Sequence, residues 1–129
     1  MKLSDIRDVT NKIESGGWVG ELPNLPGVKV KVRGIFNSDY RRLLAKLRAD
    51  IPPEKWDDPE IAETIDTQLL HETILVDWHG IEDAEYTPEL AKQLLSDPEF
   101  AVFRRAVHYA GNIVAAQGKQ SLEADAKNS

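Results

Sequence analysis

The sequence predicts a mainly α protein: about five helices packed in a small bundle, with a short β-strand or hairpin element near the N-terminus. Three observations predict it. Residues Val28 to Arg33 alternate apolar and basic side chains with a period of two. Later stretches repeat apolar residues at spacings of three and four. The pairs Asp58-Pro59, Thr87-Pro88 and Asp97-Pro98 each join a capping side chain to a proline suited to the first helical position.

The elements follow in order. Ser4 is the expected cap of a short amphipathic helix carrying Leu3, Ile6, Val9 and Ile13, ended by Gly16-Gly17. The glycine- and proline-rich run GGWVGELPNLPG breaks any helix, and Trp18-Val19 can form a short strand within it. In VKVKVRGIF, Val28, Val30 and Val32 share one side, and Lys29, Lys31 and Arg33 the other. This is a half-buried strand with a wet basic face. Asn37 or Ser38 caps a helix with the stripe Tyr40, Leu43, Leu44 and Leu47, stopped by Pro52-Pro53. A helix from Asp58 is expected to reach about Asp77, with WHGIEDAEY as the following loop. A short helix starts at Pro88. A long one starts after Asp97-Pro98 and runs to about Gln117, with Phe100, Phe103, Val107, Ala110 and Val114 as its inward seam. Residues 1–117 therefore read as one globular domain, and the polar residues 118–129 as a disordered tail.

A chain of 129 residues can bury about two-thirds of its unfolded surface, enough for one autonomous core. With no cysteine there is no disulfide, thiolate nucleophile or Cys-based zinc site. The longest aliphatic run, Ile113 to Ala116, is too short to span a bilayer, and the N-terminus lacks the apolar core of a signal peptide. A soluble cytosolic protein is expected. The net charge of −6 disfavours general attraction to nucleic acid or membrane, but it hides a segregation. Lys29 to Arg48 sums to +6, and Glu54 to Glu99 to −12. Such asymmetry suits either a nucleic-acid face or two faces that attract one another between copies.

Catalytic patterns are sparse. His71, His79 and His108 lack metal-ligand spacing, and no nucleophile elbow or phosphate loop occurs. Asp77, His79, Glu82, Asp83 and Glu85 cluster in the chain, and a solvated polar turn accounts for them better than an acid–base or metal site. The sequence thus predicts no enzyme, no cofactor and no metal. Trp78, between Val76 and Ile81, reads as a core anchor that packs the loop down. Trp18 and Trp56 read as interface or lid aromatics.

The ordered segments GGWVGELPNLPG, VKVKVRGIFNSDYRRLL, LVDWHGI, YTPELAKQLLSDPEF and FRRAVHYAGNIVAAQG carry a resemblance across roughly residues 16 to 117. The chain resembles the tail assembly chaperones of long-tailed (siphovirus-type) phages and prophages. The resemblance implies a non-enzymatic protein of the bacterial host cytoplasm. It would coat the tape-measure protein before the tail-tube protein polymerises around it, and a longer form would arise by ribosomal frameshifting. Gln117-Gly118-Lys119 can be encoded by CAG GGA AAG, a run on which a ribosome can slip back.

The expected partners are thus a tape-measure protein, the tail-tube protein, further copies of the chain and its frameshifted longer form. No membrane is expected, and nucleic acid is disfavoured. The expected basic contact is Lys29, Lys31, Arg33, Arg41 and Arg42, and Glu60, Glu63 and Asp66 form part of the acidic one. Trp78 and Gly80 are expected to hold loop geometry. Reversing Lys31 and Arg33 to Glu is expected to weaken self-association. The alternative function is a small nucleic-acid-binding regulatory protein using the same basic patch, whose binding would fall steeply with salt.

Overall fold

Strand β2 (Lys29–Val32) is the centre of the sheet. A computed structural model describes residues 1–128, with side chains described through residue 116. Among the described residues there are five α-helices and one three-stranded antiparallel sheet, with β2 paired to a strand on each side. Helix α1 (Leu3–Ser15) and β1 (Gly17–Val19) precede β2, and α2 (Ser38–Ala49) and α3 (Pro59–Leu69) follow it. Strand β3 (Leu75–His79) leads to α4 (Pro88–Ser96) and α5 (Ala101–Asn128).

The alternation of β2 sorts its side chains as the period of two requires. Val30 and Val32 are fully buried, whereas Lys29 is exposed and Lys31 half-buried. Val19, Leu75 and Trp78 join them in a core closed by Phe103, Ala106, Val107, Ala110 and Val114 of α5. Trp78 stacks edge-on against Tyr86 and Phe103, with ring centroids 5.1 and 5.6 Å away. Its indole N–H donates to the Ala84 carbonyl at 2.8 Å, so the one polar atom of this buried ring is satisfied.

The caps are local. Asn37, Asp58, Thr87 and Asp97 each accept a backbone N–H in the next turn. Helix α1 differs from expectation at its start: it opens at Leu3, not after Ser4, and Asp5 accepts from the Lys2 backbone N–H at 2.9 Å.

The largest departure is in the middle of the chain. The helix expected to reach Asp77 ends at Leu69, passes through a wide π turn at Leu70–Ile74, and becomes β3. Trp78 and His79 are therefore strand residues and not loop residues. The cause is tertiary pairing: Lys29, Val30 and Lys31 lie opposite His79, Trp78 and Asp77, with a bulge before Val32 meets Leu75. Inside the turn Thr73 is buried, and its hydroxyl donates to the Leu69 carbonyl at 2.7 Å.

Phe100 also departs from its expected place in the α5 seam. It lies in the 3₁₀ turn Pro98–Phe100, is 42% exposed, and leaves the seam to Phe103 onward. Three residues per turn rotate it away from the row that a 3.6-residue period would continue. Helix α5 extends through Asn128. The side chains from residue 117 onward, and with them the expectation of a disordered 118–129 tail, lie outside the described residues.

Candidate functional site

The basic residues divide into two groups. Lys29 and Lys31 lie on the sheet face opposite the core, and Trp18, 50% exposed, is directly across from Lys31. Arg41 and Arg42 are exposed on α2, where Arg42 pairs with Asp39 at 3.1 Å. Arg33 is different, because its side chain turns inward. Its Nε donates to the Glu14 carbonyl at 2.6 Å, and its Nη2 donates to Asp39 at 2.7 Å. Glu14 in turn accepts from the Ser38 backbone and hydroxyl. Arg33 thus ties α1 to the start of α2. Hydrogen bonding from Ser38 holds the Glu14 carboxyl below its usual pKa, and Arg33 does the same for Asp39.

The acidic group divides similarly. Glu60 and Glu63 are exposed on α3 and border an open cleft of about 660 Å³ shared with His71, Glu72 and Lys92. Burial pushes the His71 pKa down. Asp66 faces inward. It accepts from Arg104 at 2.6 Å and meets His108 Nε2 at 2.8 Å. Burial raises its pKa, but the His108 and Arg104 contacts outweigh that and lower it. Arg104 also donates to the Thr67 hydroxyl at 2.6 Å, so it clamps α5 to α3.

Gly80 sits at φ +99°, where an added Cβ would overlap the Gly27 carbonyl oxygen. It is the close approach that seats the β1–β2 turn against the end of β3. Among the described residues no group of three or more His, Asp and Glu is placed to hold a metal ion. Among the same residues no helix is long and apolar enough to cross a membrane.

One feature escapes the linear pattern. Phe36, Arg41, Leu44, Ala45, Arg48 and Trp56 line an open groove of about 570 Å³. Arg48 lies 5.0 Å over the Trp56 ring, and the Trp56 N–H donates to the Ile51 carbonyl at 3.0 Å. Phe36 is 64% exposed at φ +66°, a left-handed conformation that a bulky side chain adopts at a cost. Asn37 holds it there. Fully buried, its amide donates to the Gly34 and Thr73 carbonyls, and its oxygen accepts from the Tyr40 N–H. The available sequence signal is an aromatic residue directly before a helix cap, but that pattern usually marks a local staple. Phe36 does touch Tyr40 edge-on at 5.2 Å, yet most of its ring faces solvent.

Fold and surface together define a small, mainly helical protein with a three-stranded sheet, exposed charge of both signs and an arginine-rimmed apolar groove. The family model described as YdaY prophage protein matches residues 35–128, from the Phe36 turn through α5. That is well over half of the 129 residues, and the chain belongs to this prophage protein family. No curated protein and no solved structure matches it.

Proposed function

We propose that this prophage protein is a tail assembly chaperone that multimerises along the tape-measure protein before the tail-tube protein replaces it. The observation that carries the reading is exposed charge of opposite sign on different elements. Lys29, Arg41 and Arg42 remain exposed on the sheet and α2, and Glu60 and Glu63 on α3. Membership of a prophage family supports the setting. A tape measure that is long, helical and apolar on one side needs cover until the tube forms. Many weakly held copies provide cover that tube subunits can displace.

The test is co-expression of the full chain with the tape-measure protein of the same prophage. The tape measure should stay in solution and co-purify with the chain, and Lys29→Glu with Lys31→Glu should reduce its recovery. A tape measure that aggregates equally with and without the chain defeats the proposal.

The alternative reading, a small nucleic-acid-binding regulator, gains one specific observation. Trp18 opposite Lys31 places an aromatic ring among the basic side chains of the sheet. This reading requires a mobility shift at low salt that disappears as salt rises.

A further inference from the structure

The groove walled by Phe36 and Trp56 has a counterpart elsewhere on the same chain. Phe100, 42% exposed, is an apolar knob in the turn that leads into α5. The turn presenting it is rigid. Pro98 begins it, the Asp97 carboxylate accepts from the Glu99 N–H at 2.9 Å, and the Phe100 N–H donates to the Asp97 carbonyl at 3.0 Å. A preordered aromatic loses little freedom on docking. Asp97 and Glu99 flank the knob, whereas Arg41 and Arg48 border the groove, which has no carboxylate in its lining. Both apolar surfaces are exposed, so neither covers the other within one chain.

Phe36 adds an independent indication that the groove is used. Glycine or asparagine suits its left-handed backbone better than phenylalanine does. Strain of this kind at an exposed aromatic is typical of ligand clamps.

We infer that the groove of one copy receives the Phe100 knob of a second copy, with Asp97 and Glu99 against Arg41 and Arg48. The joint is heterologous: each copy offers one knob and one groove, so joining two copies leaves one of each free for the next. It rests on the coating reading for its purpose and names the surfaces by which that coat would grow. Its test uses the purified chain alone, so failure of this joint and failure to retain a tape measure are separate results.

Light scattering after size-exclusion chromatography reads the assembly. The parent chain should grow in mass with concentration and shrink in high salt. Phe36→Gly removes one wall of the groove while suiting the backbone, so its melting temperature should hold or rise. Phe100→Ser removes the knob, and Glu99→Lys opposes the groove arginines should the serine variant fold poorly. Each variant should be monomeric where the parent is multimeric. An equimolar mixture of Phe36→Gly with a folded knob variant retains one intact groove and one intact knob, and should stop at a heterodimer. A parent that stays monomeric at every concentration overturns the joint. So does a folded variant that assembles like the parent, or a mixture that gives no heterodimer.

Discussion

Arg104 on α5 donates to Asp66 on α3 across 2.6 Å, in a site where both side chains are largely shielded from water. The same arginine reaches the Thr67 hydroxyl and the Leu95 carbonyl, so one side chain joins α3, α4 and α5. Arg104→Met keeps most of the apolar stem but leaves Asp66 with His108 as its one remaining side-chain partner. It should cost about 2–3 kcal/mol, read as a lower urea midpoint with an unchanged slope.

Acid should loosen the same clamp. Asp66, Glu14 and Asp39 all have folded pKa values below their ordinary ones. Their contribution is complete above the unfolded carboxylate value of about 4 and is lost as pH falls through the folded values. Denaturation midpoints should therefore decline modestly below about pH 6.5, where half-buried His71 resists the proton that the unfolded chain takes up, and fall further towards pH 3. Asp66→Asn should flatten part of that fall, whereas an unchanged profile would place the acid sensitivity elsewhere.

Asn37 separates capping from tethering. Asn37→Asp keeps an oxygen for the Tyr40 N–H but loses the two amide donations and buries a charge beside the Gly34 and Thr73 carbonyls. It should destabilise the fold at neutral pH by at least as much as Asn37→Ala, about 2–4 kcal/mol. If Asp restores stability over Ala, the cap matters more than the tether to the π turn.

Gly80 and Gly27 both have positive φ, but only Gly80 is crowded. A Cβ there meets backbone of Gly27 and Val28, whereas one on Gly27 meets nothing within 4 Å. Gly27→Ala should cost about 1 kcal/mol for its backbone alone, and Gly80→Ala distinctly more, in thermal melts of the two variants. Equal costs would mean that the close approach is not maintained in solution.

Charge reversals on the basic strand should not behave alike. Lys31→Glu should leave the melting temperature within a few degrees, because that side chain faces outward. Arg33→Glu places a carboxylate beside Glu14 and Asp39 and should cost about 3 kcal/mol or more. The double reversal expected from sequence to probe self-association would therefore unfold α1 from α2 before it tested an interface. Lys29→Glu with Lys31→Glu is the cleaner variant.

What the sequence made legible was local. The β2 alternation, the Asn37, Asp58 and Thr87 caps and the Phe103-to-Val114 seam are each written within a few residues, and the structure follows them. Strand β3 was not legible. Leu69, Leu70, Ile74 and Val76 fit a helical period as well as a strand, and the deciding contact, Val30 with Trp78, spans distant parts of the chain. Arg33 looked wet because alternation gives the face of a residue and not the carboxylates waiting there. Asp66 likewise looked like part of an exposed acidic stripe until α5 brought Arg104 and His108 beside it. The groove was hidden for a related reason: Phe36, Leu44 and Trp56 come from a turn, a helix and a linker, and no periodicity links them.

The most direct measurement is the mass of the complex between the chain and its tape-measure protein, co-purified from one cell and read by native mass spectrometry or light scattering. The coating account predicts many copies of the chain on each tape-measure molecule, shed by high salt or by added tail-tube protein. A single copy per tape-measure molecule, or none, would contradict it.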